Sequence, residues 1–375
     1  QGLVCMGLLL VLSSCSCHTG KQITASGLQR KDFQTEVNGQ HTDLFTLSNK
    51  QGMEVCITNY GARVVSILVP DRNGKREDVV CGFSTITEYM EQRQNFGSTV
   101  GRYIGRILNA RFTLDGVEYK LVPNNGKSGH ISHGGNPGFA DRIWKVEQAD
   151  THRVRLSYLS PDGENGFPGN LKVTLVYSLG EDDNALDLTY EATTDAPTVL
   201  NLSHHSFFNI SGDFTKSVED QQLWVDADRF TPYDDKKCVT GEYLPVAGTP
   251  LDFRMPHTIG ECIDADHPQL KVVNGYDHTW ELNTKGDDTR PAAWVYDPAS
   301  GRKMEIFTTE PGMQIYTGNG LKGKMTGKRG IAYPFRSAVC FETMHFQDSP
   351  NQPGFPSTVL RPGEVFRSHT VYKFE

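Results

Sequence analysis

The strongest constraint on this chain is a recurring alternation of apolar and polar residues with a period of two. It runs through Met53-Glu54-Val55-Cys56-Ile57, Arg111 to Leu114, Val154 to Leu159, Leu171 to Tyr177 and Ala185 to Ala192. Successive side chains of a strand point to opposite faces, so each run puts one face in a core and the other toward water. Val64 to Val69 and Asp78 to Cys81 are extended apolar text of the same kind. Asp71-Arg72-Asn73-Gly74 marks a turn, and Asp115-Gly116 marks a hairpin before Val117 to Leu121. No segment of helical period is long enough for a major element; Thr87 to Arg93 is expected to form a short helix. Many strands without a βαβ rhythm imply an all-β antiparallel sandwich. The 37 glycines and 19 prolines are scattered, as frequent turns require. No Gly/Ser linker or fixed-period repeat divides the 375 residues, so one domain is expected over residues 33–375.

The first residues read differently. Leu3 to Leu12 is apolar but too short to span a bilayer, and it fits a signal-peptide core. Leu12-Ser13-Ser14-Cys15 resembles the lipobox of bacterial lipoproteins. Residues 1–14 are therefore expected to be a lipoprotein-type signal peptide. Because Gln1 is not Met and no basic residue precedes the run, that peptide is expected to be incomplete at its start. Cleavage would leave a lipid on Cys15, with residues 15–32 as a polar tether. The location implied is an exported, periplasmic or membrane-anchored lipoprotein of a bacterium, touching the membrane only through that lipid.

A net charge of −8 argues against nucleic acid, which needs a basic surface. Five of the eight cysteines lie beyond the leader, with no CxxC spacing, so zinc and redox motifs are unsupported. Cys56, Cys81 and Cys340 read as buried thiols, while Cys238 and Cys262 could pair. The acidic stretch Asp226 to Asp228 could take calcium but lacks a ligand pattern.

Four loops are richer in chemistry than turns need to be. They are Gly101-Arg102-Tyr103-Ile104-Gly105-Arg106-Ile107, Asn124 to Gly135 with His130 and His133, Asn201 to Asn209 with His204 and His205, and Val339-Cys340-Phe341-Glu342-Thr343. Arginines in an apolar stretch are costly to bury without partners. The glycines after His133 would let backbone approach a ligand. Adjacent His204 and His205 invite a zinc site, but strand neighbours face opposite ways. Taken singly, a loop histidine is more often structural, and a Glu in an apolar strand is more often paired, here with Arg336.

Together these segments resemble the aldose 1-epimerase, or galactose mutarotase, family over about Phe33 to Phe374. The resemblance rests on seven motifs in family order: the Gly101–Ile107 stretch, His133-Gly134-Gly135, Asp162 to Gly169, Asn201 to Asn209, Tyr276-Asp277-His278, Gln314 to Asn319, and Phe341-Glu342-Thr343 leading to Asp348-Ser349-Pro350-Asn351. It implies a large twisted antiparallel β-sandwich. It makes His205 the acid and Glu342 the base, with Arg106, His133, Asp277 and Gln314 binding the sugar. His204 replaces the family's usual Asn and is given no role. Gly105 stands where many members have Asn, so one hydroxyl contact is expected to be missing.

The chemistry suits those residue types. Opening an aldose ring removes the O1 proton and protonates the ring oxygen; reclosure on the other carbonyl face inverts the anomeric centre. A carboxylate and an imidazole can exchange these roles near neutral pH, each contributing about 10²–10⁴-fold. No metal or nucleotide is required. Phe207, Trp280 and Tyr316 could pack on the sugar. The expected activity is interconversion of α and β anomers of free hexoses such as glucose and galactose, by a monomer. The competing readings are a non-catalytic carbohydrate-binding sandwich and an epimerase of phosphorylated hexoses. The latter would need a cationic cluster, for which the sequence offers Arg106, with Arg102 as a second candidate.

Overall fold

A computed structural model describes residues 22–375. The proposed signal peptide and Cys15 lie outside the described residues. Three antiparallel sheets carry the architecture. The largest has nine strands, in the order 145–149, 153–160, 171–179, 185–194, 366–374, 303–308, 293–296, 222–225, 257–258. The second has six, in the order 207–208, 339–344, 312–316, 277–281, 229–231, 244–245. The third has four: Leu44–Ser48, Glu54–Thr58, Arg63–Pro70 and Arg76–Asp78.

One continuous core joins all three. It takes Leu156, Leu175 and Leu188 from the first sheet, Ile315, Val339 and Phe341 from the second, and Val55 and Ile67 from the third. The sandwich expected from the alternation is therefore the one observed. Leu171–Leu179 illustrates the rule: its odd-numbered members are all buried, whereas Lys172 is exposed. The expected short helix is Ile86–Gln92, opened by Thr85 and Glu88 in a reciprocal capping box. A second helix, Pro268–Val273, is too short for its period to stand out in the sequence. Among the described residues no helix is long and apolar enough to cross a membrane.

Both ends of the described chain are tied into this framework. The segment expected to be a tether lies against the third sheet from Thr24 onward. Glu54 accepts from the Ala25 and Ser26 amides at 2.7 and 3.2 Å, and Leu28 and Phe33 are buried. The last strand, Phe366–Phe374, lies inside the nine-stranded sheet, paired to Ala185–Thr194 on one side and Lys303–Thr308 on the other.

Candidate active site

The site is built on the face of the six-stranded sheet that points away from the large one. Alternation along Val339–Met344 sends Val339 and Phe341 into the shared core and turns Cys340 and Glu342 the other way. Antiparallel register then assembles neighbours. Gln314 lies opposite Glu342, and Thr279 opposite Gln314; the adjacent row holds Asp277, Tyr316, Cys340 and Phe207. All six residues of Val339–Met344 are buried, so Glu342 is a carboxyl group inside the protein.

His205 enters from Ser203–His205, paired to Ser98–Val100. Its ring lies flat on Phe207, with centroids 5.1 Å apart, and its Nε2 comes within 3.4 Å of Glu342 Oε1. Its Nδ1 is 3.6 Å from Cys340 Sγ. His204 points to the opposite face, as expected of a strand neighbour. Its Nε2 meets Ser206 Oγ at 2.6 Å, and its ring packs among Tyr177 and Tyr372.

Above this floor a wall is made by Arg106–Ile107 paired with Ile131–Ser132. Arg106 is half-buried there, and its Nη1 donates to the Lys237 carbonyl at 3.2 Å. The His133 ring meets the His205 ring edge-on at 5.5 Å. Its buried Nδ1 has no partner. Asp277 Oδ1 accepts from Gln314 Nε2 at 2.7 Å. A cavity of about 270 Å³ opens between floor and wall, lined by all six residues singled out from the sequence. It lies just below the range of drug-sized ligand pockets, about 300 to 1,000 Å³, which suits a ligand as small as a monosaccharide. Asn95, Ser132, Met344 and Gln347 also line it and were not anticipated. Their signal lies in contacts across the fold rather than in any local pattern.

Burial sets the electrostatics. It pushes the Glu342 carboxyl well above its usual range, and the nearby Asp277 charge adds to the shift. Burial drives His205 well below an ordinary imidazole, with His133 contributing. His133 falls to about 4, through burial and then the Arg106 charge. Asp277 is raised by burial, against the opposing pull of Arg106 and the Gln314 hydrogen bond.

Several structural alternatives resolve here. Arg336 does not partner Glu342; it binds Glu219 at 2.7 Å and Asp264 at 2.7 Å. Trp280 is fully buried and donates to the Leu251 carbonyl, so it belongs to the core and not to a sugar face. The glycine after His133 serves backbone packing, not ligand approach: a Cβ on Gly134 would sit 1.9 Å from the Gly101 carbonyl oxygen. Arg102 is buried and structural. It donates to the carbonyls of Ser160, Pro161, Pro168 and Gly169 at 2.8–3.0 Å, which explains the Asp162 to Gly169 motif outside the cavity.

Cys238 and Cys262 are free thiols. Asp226 and Asp228, the stretch considered for calcium, are paired with Arg290 and Arg254 at 2.6 and 3.1 Å. His205, Cys340 and Glu342 hold potential metal-ligand atoms within 4.8 Å of one another, the one such cluster among the described residues.

A buried imidazole–carboxyl pair at the base of a small polar pocket on a β-sandwich is chemically suited to proton transfer on a small neutral ligand. A profile of the family described as aldose 1-epimerase matches residues 43–373. A galactose mutarotase of Sus scrofa is 39% identical over 330 residues, covering 88% of this chain and 93% of that one. The aldose 1-epimerase of Escherichia coli (strain K12) is 36% identical over 340 residues, covering 90% and 96%. Among solved structures, an aldose epimerase homologue from C. elegans superposes with a TM-score of 0.82 at 31% identity, covering 89% of this chain and 99% of its own. The galactose 1-epimerase of Lactobacillus acidophilus gives 0.79 at 28% identity, covering 91% and 97%. The chain belongs to the aldose 1-epimerase family.

Proposed function

We propose that this protein is an aldose 1-epimerase that interconverts the α and β anomers of free hexoses such as glucose and galactose. The observation that carries the reading is the approach of His205 Nε2 to Glu342 Oε1 at 3.4 Å on the cavity floor, both side chains nearly inaccessible. O1 and the ring oxygen are bonded to the same carbon, so acid and base must converge on one edge of the sugar. This pair converges in that way.

The pair holds one proton in common. With the proton on His205, the imidazolium gives it to the ring oxygen while the Glu342 carboxylate takes the O1 proton, and the ring opens. Rotation about C1–C2 presents the other carbonyl face. The proton, now on Glu342, returns to O1 as His205 recovers its own from the closing hydroxyl. The proton count of the pair is the same before and after, so the cycle needs no net exchange of protons with solvent. Arg106, His133, Asp277 and Gln314 hold the hydroxyls with complementary donors and acceptors. His133 is neutral near pH 7, given its pKa of about 4, and can both donate and accept.

Arg106 is the one Lys or Arg lining the cavity among the described residues, which favours free over phosphorylated sugars. The remainder of the proposal is a lipoprotein signal at residues 1–14, lipid on Cys15 and a monomeric, exported protein whose single domain takes in the packed segment from Thr24 together with residues 33–375.

Polarimetry on freshly dissolved α-glucose and α-galactose tests the activity. The protein should accelerate the drift beyond buffer, and His205→Ala and Glu342→Ala should each remove the acceleration. A wild-type rate equal to buffer would sink the assignment.

A further inference from the structure

The wall of the cavity contains a carboxamide that no motif singles out. Gln347 is buried and reaches the cavity from just beyond Val339–Met344. Its Oε1 accepts from the Arg106 backbone N–H at 3.2 Å. A backbone N–H can only donate, so this contact fixes which end of the amide is oxygen. The Nε2 end then donates to Tyr233 Oη at 2.7 Å and to Gln314 Oε1 at 3.3 Å. Gln314 Oε1 also accepts from Thr279 Oγ1, which turns Gln314 Nε2 onto Asp277 Oδ1 at 2.7 Å. A single directed chain of hydrogen bonds therefore runs from Arg106 through Gln347 and Gln314 to Asp277. It links three of the four residues proposed to bind the sugar.

The room for Gln347 is made by Gly105. A Cβ on Gly105 would lie 2.5 Å from Gln347 Cγ and 3.0 Å from Cδ, closer than carbon atoms can approach. The backbone there has φ +75°, the left-handed region that glycine adopts freely and Asn tolerates best among the rest. The Gly105 carbonyl meanwhile accepts from the His133 N–H at 2.9 Å, so the Gly105–Arg106 segment is held between His133 and Gln347. A side chain at position 105 and the side chain of Gln347 compete for one volume.

We propose that Gln347 is a positioning residue of this site and that its carboxamide stands in for the side chain absent at Gly105. It sets the Arg106 backbone, the Gln314 amide and, through it, Asp277 in the orientation that receives sugar hydroxyls. The proposal rests on the sugar-epimerase reading of the cavity. It acts on ligand positioning and not on proton transfer, so its signature is in binding.

The test pairs polarimetric kinetics with calorimetric titration of galactose, so that binding is read even if turnover is absent. Gln347→Met keeps the volume and removes the polar atoms. It should raise KM and the galactose Kd about five- to tenfold, the weight of one or two neutral hydrogen bonds, with kcat within about twofold. Gly105→Asn alone should weaken binding, because its Cβ meets Gln347. Gly105→Asn with Gln347→Ala should bind galactose more tightly than either single variant. A Met variant with wild-type KM and Kd overturns the positioning role. Effects of the two sites that merely add overturn the exchange. Wild-type protein that binds galactose without mutarotation would defeat the functional reading and leave Gln347 still tested.

Discussion

His205 and Glu342 are displaced by burial in opposite directions, and the pH dependence of the reaction follows from that. His205 is held below the ordinary imidazole value, so a second proton reaches the pair only in acid. Glu342 is held above the ordinary carboxyl value, so the shared proton is lost later than from a free glutamate. The two titrations belong to the pair as a whole. After subtraction of the buffer rate, kcat/KM should follow a bell with its acid limb below pH 6.5. An acid limb at or above pH 6.5 would contradict the burial account. Glu342→Gln should lower kcat by about 10²–10⁴-fold, and polarimetry across the same pH range should show the acid limb gone, with the residual rate falling toward alkaline pH as His205 alone loses its proton. Cys340 lies two residues from Glu342 on the same face and is fully buried, its thiol pushed well above its usual value; it stays protonated throughout.

At the scale of elements, two buried or half-buried cations hold strands and loops in place. Arg102 joins the Ser160–Pro161 turn to Pro168 and Gly169. Arg102→Leu strands several carbonyl groups in the interior and should cost about 3 kcal/mol or more, read from the denaturant midpoint. His369, on Phe366–Phe374, bridges Asp187 at 2.9 Å and Asp288 at 2.7 Å, and these bonds raise it to about 9. A raised folded-state pKa stabilises fully below the unfolded value near 6.5, and the stabilisation fades as pH rises through about 9. His369→Gln should therefore be destabilised by about 1–2 kcal/mol at pH 6, discounted for partial exposure, and should match wild type by pH 10. Thermal melts at the two pH values decide it.

The same scale shows what could be read from the residues beforehand. Ala185–Thr194 has one face buried and one partly exposed, so its alternation was plain in the text. Val339–Met344 and Ser203–His205 are buried on both faces and carry no alternation, so their chemistry came from motif order. Gln347 was invisible because its meaning depends on Arg106, 241 residues away, and on a glycine beside it. Arg102 was ambiguous for the same reason: most of its acceptors are main-chain carbonyls, which no side-chain pattern announces.

For the whole molecule, the three sheets share one core, so stability is not divisible among them. Phe33 is fully buried at the far end of the segment that crosses the third sheet, in a satellite cluster with Phe83, Phe96 and Phe207. Phe33→Ala should cost about 3–5 kcal/mol in chemical denaturation although it lies far from Glu342 in sequence. Removal of residues 366–375 should yield insoluble protein, since it leaves Ala185–Thr194 and Lys303–Thr308 without the strand between them.

That central position of Phe366–Phe374 also fixes the timing of folding during synthesis. A ribosome delivers the two flanking strands long before the piece that joins them. Until Phe366–Phe374 emerges, each flanking strand presents an open row of amide and carbonyl groups. The nine-stranded sheet closes only once Phe366–Phe374 has been made, so the nascent sheet stays unfinished, and threadable, until that strand emerges.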